Sequence, residues 1–284
     1  SALLAWLSVR AAGGKMVLRI EDLDPQRCRA DYAAQLREDL LWLGLDWDEE
    51  QTPQSKKSAD YAAAFEALRA RGLVYPCYCS RAQLHAASAP HAADGQAVYP
   101  GTCRKLTDAQ RAAMTKPPAW RLIVPDEDIS FTDGVQGVYS ENLARDCGDF
   151  ILRRADGVYA YQLAVVHDDA EAGVTQVVRG RDLLGSVPRQ MYLQRLLGYP
   201  TPEYYHVPLL TAPDGRRLSK RERDLDLGAL REELTPEALV GRLAYFAGLR
   251  PTQEAVTPQR LAAEFSWQRV RRADISVAKP QNCL

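Results

Sequence analysis

The 284 residues contain no apolar run near the roughly 18 that a membrane-crossing helix needs, and no secretory leader pattern opens the chain. The six cysteines have no disulfide-like layout, so the expected setting is reducing and cytoplasmic. A net charge of −1 excludes the global basic field of a non-specific DNA binder. Local arginine clusters, "RGRD" (179–182) and "GRRLSKRER" (215–223), keep a local surface for phosphate or RNA open. An initiator methionine is missing too. Ser1 runs straight into "ALLAWLSVRAAGG", so the true start is expected upstream.

What is present is an ordinary globular composition with alternating helical and strand patterns. Leu3 and Leu7 read as a helix ended by Gly13–Gly14, followed by a short strand in "KMVLRI" (15–20). Tyr32, Leu36, Leu40 and Leu43 have helical spacing, as do Tyr61, Phe65 and Leu68, which points to an α/β chain. From about 76 to 150 the character changes to an inserted module with short β-like pieces, "AWRLIV" and "ISFTD". Alternating strands are expected at "GVYAYQLAVV" (157–166) and "GVTQVV" (173–178), then a helix over 181–197 and a strand in "YYHVPLLT" (204–211). Thr235–Pro236 reads as a capped helix start with Leu239, Leu243 and Phe246 as its buried stripe. The last fifteen residues read as a loosely held tail.

"PCYCS" (76–80) sets Cys77 and Cys79 one residue apart, a spacing that serves a disulfide badly. With Cys103 of "YPGTCR" they offer three thiolates to a structural zinc, which takes four ligands in a tetrahedron. The stretch between them is rich in Ala, His and Gly and has little apolar surface to hold it folded. His85, His91 and Tyr99 are all open as the fourth ligand on residue chemistry alone. Cys28, Cys147 and Cys283 have no partner pattern.

"RIEDLD" (19–24) places Glu21, Asp22 and Asp24 after a strand, where open α/β sheets bind ligands. "DGRRLSKRE" (214–222) is a basic loop suited to phosphates. In this order, "RIEDLDPQR", "LLWLGLDWDE", "YPCYCSRAQL", "YPGTCR", "GDFILRRADGVYAYQLAVVHDDAEAGVTQVVRGRDLL", "PEYYHVPLL" and "GRRLSK" resemble the class I glutamyl-type aminoacyl-tRNA synthetases over residues 1–270. Two features are similar to that family's short paralogues, the glutamyl-queuosine tRNA(Asp) synthetases. Only 64 residues follow Lys220, too few for an anticodon-binding domain, and the Cys-x-Cys, Tyr-x-x-x-Cys pattern matches Cys77, Cys79, Tyr99 and Cys103.

The resemblance implies a Rossmann-type catalytic domain split by a zinc-containing insertion and followed by a helical, stem-contact-like region. The implied divisions are 1–75, 76–152, 153–212 and 213–284. It implies activation of L-glutamate by ATP with Mg²⁺, then transfer to the queuosine base in the tRNA(Asp) anticodon loop, by a monomer. Tyr99 becomes the fourth zinc ligand, and His85 and His91 become bystanders. Glu21, Tyr161 and Arg179 become the glutamate-binding residues. Ser219 and Lys220 become ATP-binding residues, Lys220 catalytic as the second lysine of the family's Lys-Met-Ser-Lys-Ser loop, which reads "RLSKR" here with Arg217 and Arg221 outermost.

Three departures stand out. His167 and Val187 replace an apolar residue and a threonine, and His167 is expected to be a strand-end histidine without a catalytic task. The His-x-Gly signature at a helix N-terminus is absent, with Ser1 read as its last residue, so the chain as it stands is expected to be inactive. Two rival readings are a piece of a glutamyl-tRNA synthetase charging the tRNA 3′ end, and a non-catalytic, zinc-stapled RNA-binding module.

Overall fold

Helix α1, Ala2–Ala11, buries Leu3, Leu4, Trp6 and Leu7, and Gly13 follows its last turn at a φ of +65°. The computed structural model describes residues 1–24, 28–80, 98–216, 218 and 227–277. Strand β1, Val17–Leu18, pairs in parallel with β2, Glu49–Glu50, across helix α2, Ala30–Trp42. Parallel neighbours need such a crossover. Helix α3, Ser58–Ala70, then buries Tyr61, Phe65 and Leu68, as their spacing indicates.

Strand β3, Val74–Cys77, is the first strand of a three-stranded antiparallel sheet. Its other members are β4, Ala119–Leu122, in the middle, and β7, Phe150–Arg153, on the far side. The short helix α4, Asp108–Ala112, starts on a Thr107–Gln110 capping box, and β5, Asp128–Asp133, forms a hairpin with β6, Gly137–Asn142. Both ends of the 76–152 stretch therefore lie on one sheet.

Helix α5, Tyr161–Glu171, occupies much of the stretch that alternation assigned to a strand. The strand reading of 157–166 is thus corrected. Tyr159, Tyr161, Leu163 and Val165 do alternate, but Leu163, Ala164, Val165, Val166 and Asp168 are all buried, because α5 is packed on several sides. Burial all round erases the period-3.6 stripe, and tertiary packing overrides the β preference of the valines. His167 accordingly lies on a helix, its Nδ1 2.9 Å from the Tyr199 hydroxyl.

Strand β8, Gln176–Gly180, and β9, Glu203–Val207, form a second parallel pair around helix α6, Val187–Leu197. Helices α7, Leu227–Glu233, α8, Pro236–Ala247, and α9, Pro258–Ala263, follow. The Thr235 side chain accepts from the Ala238 N–H, so the cap read from the sequence is in place. Strand β10, Leu210–Thr211, pairs in parallel with β11, Ile275–Ser276.

That last pairing corrects the loosely held tail, at least to residue 277. Val270, Ile275 and Val277 are buried, and the Arg271, Ile275 and Val277 N–H groups donate to Ala247, Leu209 and Thr211. Three spaced apolar residues were enough to dock this segment against α1, α8 and α9. A second core joins α3, α5 and α6 to the three-stranded sheet. The whole is a mixed α/β fold, and among the described residues no helix is long and apolar enough to cross a membrane.

Candidate active site and candidate metal centre

Glu21 lies just beyond the C-terminal end of β1, Arg179 lies near that end of β8, and Tyr161 opens α5. Ends of parallel strands are where an open α/β sheet leaves a crevice. The Arg179 guanidinium donates from NH1 to the Tyr161 hydroxyl at 3.4 Å, from NH2 to Gln190 Oε1 at 2.9 Å, and from Nε to His206 Nε2 at 3.0 Å. Glu21 accepts from Arg19 at 3.0 Å, and Arg19 also donates to Asp169 at 2.7 Å.

These groups feel one another. Burial pushes the Tyr161 hydroxyl up, opposed by Arg179, with Glu21 and Asp169 adding to the rise. Burial also raises the Asp169 carboxyl, although Arg19 and Arg179 oppose it. Arg19 is held above its ordinary value because Asp169 and Glu21 outweigh its own burial. Arg179, Glu21 and Asp169 thus act on the Tyr161 hydroxyl, and Arg19 pairs both carboxylates. Charges of both signs at one crevice are the chemistry that a small zwitterion would need. Ser219 and Lys220, expected beside this cluster, lie outside the described residues, as do Arg217 and Arg221.

Behind the cluster sits Asp168, fully buried, which accepts from Gln54 Nε2 at 2.8 Å and the Tyr61 hydroxyl at 2.9 Å. Lys57 Nζ bridges Asp168, at 2.5 Å, and Glu171. Sequence reasoning passed over Arg19, Asp168, Asp169, Gln190 and His206. The signal was there for two of them, since consecutive aspartates closing an apolar run, "AVVHDD", are costly inside a core unless paired.

The second cluster is the cysteine group. Cys77, Cys79 and Cys103 bring their sulfurs within 4.8 Å of one another. The Cys79 and Cys103 sulfurs are 3.5 Å apart, and the Tyr99 hydroxyl is 3.4 Å from Cys77 Sγ and 3.8 Å from Cys79 Sγ. Zinc bonds of about 2.3 Å to sulfur and about 2.0 Å to oxygen at tetrahedral angles set ligand separations of roughly 3.5–3.8 Å. The donor set fits such an ion.

Its surroundings are those of an anionic centre. The Tyr78 N–H donates to Cys103 Sγ at 3.3 Å, and the Cys103 N–H donates to the Tyr99 hydroxyl at 2.8 Å. Arg121 is buried, donates from Nε to Cys77 Sγ at 3.3 Å and from NH1 to the Asp149 carbonyl at 2.6 Å, and lies 3.8 Å over the Tyr99 ring. Burial opposes the Cys77 thiolate, but Tyr99, the Cys79 backbone and Arg121 together hold its thiol below the ordinary value. Burial and the neighbouring thiols push Cys79 up to about 11. Gly148, at a φ of +71°, lets the Tyr99 backbone approach where a Cβ would stand 2.5 Å from its carbonyl oxygen. His85 and His91 lie outside the described residues.

Comparison with known proteins places the whole chain. Residues 1–278 match the family model for tRNA synthetases class I (E and Q), catalytic domain. The chain is 48% identical to a Glutamyl-Q tRNA(Asp) synthetase of Symbiobacterium thermophilum, covering 98% of this chain and 90% of the relative. It is 49% identical to one from Nitratidesulfovibrio vulgaris, covering 88% and 81%. Among solved structures, a glutamate tRNA ligase from Elizabethkingia meningosepticum superimposes with a TM-score of 0.80 at 25% identity over 98% of this chain. This chain spans only 63% of that one. The expectation of an inactive chain gains no support from matches that run almost end to end. The chain belongs to the class I glutamyl and glutaminyl tRNA synthetase catalytic-domain family, on its Glutamyl-Q tRNA(Asp) synthetase branch.

Proposed function

We propose that this chain activates L-glutamate with ATP, without tRNA, and transfers the glutamyl group to the queuosine base of tRNA(Asp). The observation that carries this reading is the near-half identity, over 98% of the chain, to relatives bearing that name. The 25% identity to solved glutamate tRNA ligases leaves charging of a tRNA 3′ end as the weaker reading. A cytoplasmic, monomeric enzyme belongs to the same proposal, as does a chain divided at 75, 152 and 212. The positions of β3 and β7, on either side of β4 in one sheet, support the insertion limits.

The substrate α-carboxylate attacks the ATP α-phosphorus, giving glutamyl-adenylate and pyrophosphate, with Mg²⁺ accompanying the triphosphate. That carboxylate must stay free to attack, so Arg179 holds the side-chain carboxylate through the NH1 group that faces Tyr161. Tyr161 shares that end of the substrate. Glu21 accepts a charge-assisted hydrogen bond from the ammonium group, worth roughly 1.5–3 kcal/mol. Ser219 and Lys220 bind ATP, and the Lys220 charge stabilises the departing pyrophosphate. These last two roles rest on the match to the family loop alone. Cys77, Cys79, Tyr99 and Cys103 hold a structural zinc, which staples the insertion and supplies no reacting group. The distances among the four donors support that ligand set.

The test is glutamate-dependent ATP–pyrophosphate exchange by this chain without tRNA, followed by labelled glutamate transfer. Transfer to queuosine-containing tRNA(Asp), and none to tRNA(Asp) lacking queuosine, is the expected result. Exchange that strictly requires tRNA(Glu) moves the assignment to 3′-end charging. Exchange by the chain as it stands also removes the expectation of inactivity.

A further inference from the structure

His206 is fully buried on β9, and no role yet given to the site uses it. Its ring lies between two charged groups. Nδ1 is 2.6 Å from Asp133 Oδ2, and Nε2 is 3.0 Å from Arg179 Nε. Asp133 is itself buried in the β5–β6 hairpin and accepts the N–H groups of Val135, Gln136 and His206 at 2.9, 2.8 and 3.1 Å.

The partners leave the imidazole one arrangement. A guanidinium is always a donor, so Nε2 must be the bare, accepting nitrogen. Burial works against the Asp133 carboxylate, yet the His206 ring and three backbone N–H groups hold its carboxyl below the ordinary value, so it only accepts. Nδ1 must therefore carry the proton. One neutral tautomer satisfies both neighbours at once, whereas the other sets N–H against N–H at Arg179 and lone pair against carboxylate at Asp133. An imidazolium would leave Arg179 Nε without its acceptor.

We propose that His206, locked by Asp133 in its Nδ1–H tautomer, is a positioning residue that fixes the Arg179 guanidinium for a carboxylate ligand. This rests on the reading of Arg179 as the glutamate-binding residue. With Nε tied to His206 and NH2 tied to Gln190 and the Leu183 carbonyl, the guanidinium cannot rotate, and NH1 is left facing Tyr161. Tyr204 closes the remaining side. Its ring stacks on His206 with centroids 6.2 Å apart, and it lies under the guanidinium at 5.5 Å. Selectivity for a side-chain carboxylate then depends on a proton held one residue away from the substrate. Carboxylates that orient metal-binding histidines through the second ring nitrogen work on the same principle.

Two measurements on the whole chain test this. Nitrogen-15 spectra of the imidazole rings should show His206 as a neutral Nδ1–H tautomer at pH 7. The chain has only four histidines, and His206→Asn removes the signal to be assigned. An Nε2–H tautomer or an imidazolium there overturns the proposal. Calorimetric titration with glutamate and, separately, with ATP reads the function. Asn at 206 still donates to Asp133 but cannot reach Arg179, and it should weaken glutamate binding roughly tenfold or more while leaving ATP binding alone. Gln at 206 offers Arg179 a carbonyl in place of Nε2 and should retain most of the parent affinity.

Equal losses for glutamate and ATP in both variants mean a structural role and overturn the proposal. Arg179→Lys separates the two layers of the argument. Unchanged glutamate affinity in that variant sinks the substrate reading of Arg179 and the positioning role with it. A weakened Arg179→Lys beside an unaffected His206→Asn sinks the positioning role alone.

Discussion

The two polar clusters are built by opposite means. Around Arg179, the groups come from the segment after β1 and from α5, β8, α6, β9 and the β5–β6 hairpin, and each is held by a protein partner. Around Cys77, all four donors lie within residues 77–103, and the apolar support is small, chiefly Tyr75, Tyr78, Leu106 and Ile123. The first cluster balances its own charges. The second gathers thiols and a phenol around Arg121, a buried cation that alone cannot balance three thiolates. The comparison teaches that one region keeps its shape through paired charges, whereas the other gathers a donor set of the kind an ion would complete.

The sharpest break comes at the cysteines. Cys103→Ser should remove zinc entirely, against one ion per parent chain by metal analysis, and add an early transition to the thermal melt. Structural zinc supplies an apparent 10–16 kcal/mol or so in small zinc-folded domains, more than the surrounding apolar cluster can replace. Equal zinc in variant and parent would remove the basis of the comparison.

Asp168→Ala should be next, at about 3–5 kcal/mol of stability by denaturant unfolding, because it takes the buried partner from Lys57, Gln54 and Tyr61 and leaves Lys57 only Glu171. Zinc content should stay at the parent level, since no partner of Asp168 reaches the cysteines. A loss of zinc together with stability would show that the regions are coupled.

Asp133→Asn should cost less, roughly 1.5–3 kcal/mol at neutral pH, the worth of its charge-assisted hydrogen bonds. Its folded pKa lies below the ordinary 3.8, so the carboxylate stabilises the fold fully above that value. That contribution is lost as pH falls through the depressed folded value. The stability gap between parent and variant should therefore be flat from pH 7 to about 5 and shrink only below the ordinary carboxylate range. A gap that closes well above that range would show that the Asp133 carboxylate is not the titrating group.

The same contrast explains what the sequence made legible. The cysteine cluster was readable because its donors are near neighbours in the chain and cysteine is rare there. Local signals also worked elsewhere, as in the Thr235 cap and the α3 stripe of Tyr61, Phe65 and Leu68. Glu21, Tyr161 and Arg179 were found through the resemblance, not through periodicity. Their supporting residues were missed because Asp168 meets Gln54, and His206 meets Asp133, across more than 70 residues of chain. Helix α5 was missed because burial on several sides hid its period, and the 270–277 segment because its pairing with β10 is a long-range event.

The finest test falls on Tyr99, which a residue-type argument alone would not choose over His85 or His91. Phe at 99 keeps the ring beneath Arg121 and removes only the oxygen, so packing is held constant while one donor goes. Water can take the fourth position on zinc, so the ion should remain at neutral pH. It should pass to a competing chelator roughly tenfold more readily, in the range by which metal sites respond when a supporting group is lost. The Cys103 N–H loses its acceptor at the same time, adding a local cost of about 1 kcal/mol. His85→Ala is the matching control and should hold zinc as the parent does. Should His85→Ala release the metal while Tyr99→Phe retains it, the hydroxyl at 3.4 Å from Cys77 is a neighbour of the site and not part of it.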